Sequence, residues 1–149
     1  MRIGFIVLLL LFQGFQERAR SVEQRIFDAV NDARTARGIP LLRWSNRIAE
    51  QARHHSHRML ERRFMSHNDP QFGGPGNRLS LAGIAWRACG ENIYEQFGDQ
   101  DPARSAVQSW FESAGHRRNM LNAGYTDTGI GVAMGRNGEY LITQMFVAF

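Results

Sequence analysis

The strongest constraint on the fold lies near the C-terminus. Residues alternate from Thr128 to Ala133, an Asn137-Gly138 pair follows, and a second extended run goes from Tyr140 to Val147. An Asn-Gly pair between two such runs signals a tight antiparallel hairpin. A lone hairpin is marginal in water, so what precedes it must supply cover. That upstream sequence is helical in period. Ser21-Val22-Glu23-Gln24 has the form of a capping box that opens a first helix, with Val22, Ile26, Val30 and Ala33 at helical spacing and Gly38-Ile39-Pro40 to stop it. Ser45 serves as N-cap of a second helix, whose apolar stripe passes through Ile48, Ala52, His55 and Met59. Prolines 70 and 75 and glycines 73, 74 and 76 make 68–76 a loop. A short helix over Asn77–Ala82 and an extended stretch over Ile84–Cys89 follow, and Asp101-Pro102 opens a third long helix carrying Val107, Trp110 and Phe111. The expected class is α+β, with helices on both sides of a small antiparallel sheet and Trp44, Trp86 and Trp110 in the core.

At 149 residues the chain forms one domain, since that length buries roughly two thirds of the unfolded surface. Met1 and Arg2 lead into an apolar run from Ile3 to Phe12, too short for a span of about 20 residues and suited to an export signal. Residues 1–16 therefore read as a signal peptide or, because Phe12-Gln13-Gly14-Phe15 offers no small-residue cleavage site, a retained N-terminal anchor; the domain follows at 21–149. The single cysteine, Cys89, has no internal partner, so packing or a metal must supply what disulfides give other exported domains. All basic residues are arginine, and the formal net charge is +4. Such a field favours anionic envelope polymers or lipid headgroups. No basic stripe interleaved with aromatics is present, which argues against nucleic acid.

Four side chains carry ligand chemistry in short distinctive segments: His67 in Met65-Ser66-His67-Asn68, Glu91 in Gly90-Glu91-Asn92, and Glu112 and His116 in Glu112-Ser113-Ala114-Gly115-His116. Imidazole nitrogen and carboxylate oxygen are both accepted by zinc, so the set suffices for a closed tetrahedral site or an open one. Glu112 and His116 share a helix face if the helix continues through Gly115. A rival cluster, His54, His55 and His57, is flanked by Arg53 and Arg58, which oppose a bound cation. His55 falls on the core stripe.

These segments, with Asn31-Asp32-Ala33-Arg34, Leu42-Arg43-Trp44 and the terminal strand, together resemble the CAP or SCP domain of cysteine-rich secretory, venom-antigen and plant pathogenesis-related proteins. The resemblance runs from about Ile26 to the C-terminus. Gly115-His116-Arg117 is similar to the short bacterial branch. It implies a three-layer α-β-α sandwich with His67 and Glu91 in a central cavity, and a secreted or envelope-associated location. The expected function is a non-enzymatic binding module whose cleft takes zinc or another divalent cation through His67, Glu91, Glu112 and His116. Its partner would be a cell-envelope glycan, a lipid or a protein. A metal-dependent hydrolase acting on peptides or envelope material, and a lipid-binding module, are the alternatives; Ser66 and Ser113 lack the glycine pattern of a nucleophile elbow.

Overall fold

The computed structural model describes residues 2–98 and 100–149, with side chains from Gln13 onward. Met1 and the side chains of the apolar run behind the export-signal reading lie outside these. Among the described residues, no helix is long and apolar enough to cross a membrane.

Nine elements follow one another: α1 (Arg2–Thr35), β1 (Arg43–Trp44), α2 (Asn46–Arg62), α3 (Pro75–Leu81), β2 (Ala88–Phe97), α4 (Pro102–Glu112), α5 (Ala114–Met120), β3 (Asp127–Met134) and β4 (Glu139–Ala148). The sheet order is β1-β3-β4-β2, antiparallel except for the two-residue β1, which runs parallel to β3. The hairpin forms as expected. Its turn closes with Gly138 N–H on the Gly135 carbonyl, and Gly138 alone takes the left-handed conformation, at φ 79°.

Both faces of β3 and β4 are buried, which makes the molecule three-layered. Ile130, Val132, Ile142 and Phe146 pack toward α1 and α4 with Ile26, Val30, Ala106 and Trp110. The alternate residues Met145 and Val147 meet Ile48, Ala52 and Leu79, and Ala133 and Leu141 meet Met59. Helix α2 starts at its expected cap, Ser45 accepting from the Ile48 N–H, and buries the whole expected stripe including His55. Asp101 caps α4 likewise, accepting from Ala103 and Arg104 N–H.

Three expectations need correction. The first helix does not begin at Ser21 but at Arg2. Upstream there is no proline to stop it, and the two glycines, Gly4 and Gly14, cost only about 1 kcal/mol each. Glu23 is thereby freed from capping and is buried, its carboxylate accepting from Arg53 Nε (2.9 Å), Arg53 Nη2 (2.6 Å) and the Val132 N–H (3.2 Å). The extended stretch lies later than expected, over Ala88–Phe97. Of the tryptophans only Trp110 is fully buried, donating to the Ile93 carbonyl at 3.0 Å; Trp44 is half-buried, and Trp86 is 40% exposed with its ring over Gly76.

Gly129 and Gly131 let α2 lie directly on β3. A Cβ at Gly131 would sit 2.0 Å from the Arg53 backbone nitrogen, and one at Gly129 2.1 Å from that of Ala49. Backbone cannot swing aside as a side chain can, so Gly131→Ala should lower stability by about 3 kcal/mol or more. Gly115→Ala, on an exposed helical position with open space around it, should be neutral or slightly stabilising. Denaturant midpoints of the two variants check both.

Candidate functional site

Glu91 lies on β2, an edge strand whose free side is closed by side chains. Asn119 Nδ2 donates to the Glu91 carbonyl (3.1 Å) and to Asn92 Oδ1 (2.9 Å), while Trp110 covers the Ile93 carbonyl. Asn92 Nδ2 in turn donates to the His116 carbonyl at 3.1 Å, which ties α5 to the strand. Gly90 makes room for this docking, since a Cβ there would meet the Tyr125 hydroxyl at 2.6 Å and Asn119 Oδ1 at 3.0 Å, and those side chains would have to shift.

The Glu91 side chain is 1% exposed, and both its oxygens are engaged. Oε1 faces His67 Nδ1 at 2.9 Å, and Oε2 accepts from Arg78 Nη2 at 2.6 Å. An ionised carboxylate only accepts, so His67 carries its proton on Nδ1 and keeps Nε2, across the ring, as the free nitrogen. His67 is 47% exposed at the side chain, and its ring centroid lies 6.4 Å from that of His116. His116 is half-buried, its Nδ1 without a partner among the described residues, and its pKa is lowered from 6.5 by burial first and by proximity to His67 second. Behind Glu91, His55 is buried with Nε2 on the Ser66 carbonyl (2.9 Å) and 4.0 Å from Glu91 Oε1. Burial lowers its pKa, and the Glu91 charge opposes that shift.

Three of the four expected ligand residues therefore share one site. Glu112 is exposed at the end of α4, its carboxylate accepting from Gln108 Nε2 at 3.1 Å. The shared face expected for Glu112 and His116 does not exist, because the helix breaks at Ser113, which is extended (ψ 121°), and α5 starts afresh through Gly115. His54 and His57 are solvent-exposed as expected.

The donor set limits what kind of ion these residues could hold. Among the described residues no three His, Cys, Asp or Glu side chains group as a metal cage. Glu91 is occupied on both oxygens, so it could serve an ion only from behind His67. The residues fit an open site in which the His67 and His116 imidazoles supply the protein ligands. Arg78, Asn92 and Asn119, which build this arrangement, carry no sequence signal of their own; the position of Asn92 beside Glu91 was the one available hint.

The chain is similar to known proteins over most of its length. The model of a family described as CAP, the cysteine-rich secretory protein family, matches residues 27–147. The chain is 37% identical over 110 residues to the uncharacterized membrane protein YlbC of Bacillus subtilis, covering 74% of this chain and 31% of YlbC. It is 30% identical over 125 residues to YkwD of the same organism, covering 84% of this chain and 46% of YkwD. The crystal structure of an extracellular protein containing an SCP domain from Bacillus anthracis superposes with a TM-score of 0.79 at 32% identity, over 91% of this chain and 43% of that one. The chain thus spans less than half the length of each of these relatives.

His55 and His116 both titrate below 6.5 in the fold. The unfolded chain takes up those protons near 6.5, so stability is fully present above that pH and is lost as pH falls through the lower folded values. Denaturant midpoints measured between about pH 7.5 and 5 should decline, and His55→Gln should flatten the decline.

Proposed function

Because the chain belongs to the CAP family of cysteine-rich secretory proteins, in its bacterial branch, we propose that it is an extracellular or envelope-associated binding module whose cleft takes a divalent cation, zinc first. His67 and His116 are the inner ligands. Glu91 orients His67, and Glu112, exposed and bonded to Gln108, carries the least weight of the four. The supporting observation is the carboxylate of Glu91, 1% exposed and held between Arg78 and His67. Burying a charge is costly, and here the charge fixes the tautomer of a solvent-facing imidazole. Two imidazoles leave the remaining positions on an ion to water or to a partner's donor groups, so the module would bridge to an anionic partner through the metal. The arginine-rich surface would add to the attraction.

The His67–Glu91 pair is also half of an acid–base relay, which favours a metal-dependent hydrolase as the second reading. Ser66 Oγ accepts from the Asn68 N–H at 3.1 Å, which engages that hydroxyl in its own loop. Cleavage of peptides or envelope glycans that disappears in Glu91→Gln would place this reading first.

Elemental analysis and calorimetry on the full chain should find one zinc per molecule. His67→Ala/His116→Ala should abolish binding, and Glu112→Gln should leave it nearly unchanged. Undiminished zinc affinity in the double variant would remove the proposed site.

A further inference from the structure

Arg78 is a buried cation on α3, 6% exposed, and its Nη2 makes two contacts at once. It donates to Glu91 Oε2 at 2.6 Å and to the His67 backbone carbonyl at 3.1 Å. One nitrogen thus ties the carboxylate to the backbone of the histidine that this carboxylate orients. Arg78 Nε and Nη1 are also buried, with no acceptor among the described residues. Unpaired buried donors cost stability. A guanidinium buried at that cost, with both its contacts on Glu91 and His67, is better explained by the site than by the core.

We infer that Arg78 is a positioning residue: by bonding Glu91 Oε2 and the His67 carbonyl through one nitrogen, its guanidinium holds the carboxylate against His67 Nδ1, so that His67 stays in the Nδ1–H form with Nε2 open to a ligand. The geometry gives a chain of forced choices. Guanidinium N–H groups only donate, so whatever stands at position 91 must turn an acceptor toward Arg78. With a carboxylate there, the second oxygen is also an acceptor, and His67 must answer with a proton on Nδ1. With an amide there, the oxygen goes to Arg78 and the NH2 faces His67, which must then accept on Nδ1 and carry its proton on Nε2. The Nε2 lone pair, and the ligand it offers, would be lost without any change in shape. His55, 4.0 Å from Glu91 Oε1, does not take over the role of Arg78, because its Nε2 is engaged by the Ser66 carbonyl.

The consequence for an ion rests on the metal reading above, but the tautomer can be read in metal-free protein. Two-bond proton–nitrogen NMR correlations of 15N-labelled full chain, at about pH 8 where ordinary histidines are neutral, distinguish the two forms of His67. Wild type and Arg78→Lys should show Nδ1–H. Arg78→Met, which removes the donor shared by Glu91 and the His67 carbonyl and so frees the half-exposed imidazole from the carboxylate, should shift toward Nε2–H, and Glu91→Gln should show Nε2–H. Zinc affinity should fall about 10- to 100-fold in Arg78→Met. A folded Arg78→Met protein that keeps pure Nδ1–H would overturn the inference. If Arg78→Met does not fold, Glu91→Gln decides: unchanged Nδ1–H there overturns it equally. A wild type that binds no zinc, yet shows the tautomer change in the variants, upholds Arg78 as a positioning residue and defeats the ion reading alone.

Discussion

The backbone contact between α2 and β3 governs the placement of nearly everything else. Gly129 and Gly131 present no Cβ, so the helix lies on the strand with backbone almost against backbone. At that range Ser56 Oγ reaches the Gly131 carbonyl (2.9 Å) and Thr143 Oγ1 (2.8 Å), a polar pin between helix and sheet. The helix end is set by the same contact. Arg63 takes the left-handed conformation at φ 57°, with its N–H on the Met59 carbonyl, and the chain turns back so that the Ser66 carbonyl reaches His55 and His67 comes over Glu91. A helix held one side-chain diameter farther out would carry the 64–68 segment away from β2, and the histidine–carboxylate pair would separate.

Arginine chemistry then fixes the elements to one another, and the absence of lysine from the sequence becomes intelligible. Arg53 joins α2 to Glu23 of α1 through two nitrogens, and Arg58 makes a two-point contact with Asp69 while its guanidinium covers the Phe72 ring at 4.6 Å. The planar fork is suited to such paired contacts, and a lysine ammonium is not. Arg34 uses no acid at all. It is fully buried and donates to the carbonyls of Pro40, Met120, Asn122 and Tyr125, so that it collects the chain leaving α1 and the C-terminal end of α5 at one point. Asn31, one turn earlier, makes both backbone hydrogen bonds of Leu42. The Asn31-Asp32-Ala33-Arg34 segment is therefore a structural clamp for the base of α5, on which His116 stands.

What was legible in the sequence divides along the range of the interactions. Caps at Ser45 and Asp101 and the 135–138 turn depend on residues within three positions, and they appear where local chemistry places them. The start of α1 was misplaced because a capping box only marks a start where something upstream disfavours helix, and nothing there does. The carboxylate that looked like a cap, Glu23, is engaged 30 and 109 residues away. The same division runs through the site. His67, Glu91 and His116 could be named as chemistry, whereas Arg78 and Asn119, which act across 13 and 28 residues, are invisible until the chain is folded. Glu112 looked equivalent to them on spacing alone, and the break at Ser113 removes the geometry that spacing assumed.

The distribution of exposure across the site is what the proposed binding role requires. A charge network that served stability would be dispensable in energetic terms, since well-packed apolar residues replace buried ion pairs at no loss and often with a gain. Here the buried members, Glu91 at 1% and Arg78 at 6%, lead outward to an imidazole that is 47% exposed. That imidazole faces a second one, on a helix held by the strand's own edge. Order in such an arrangement increases inward while chemical availability increases outward, as expected of a site built to meet something arriving from solvent. The sheet edge, closed by Asn119 and Trp110, holds the two rings at their spacing, so that the binding proposed here would need little further ordering.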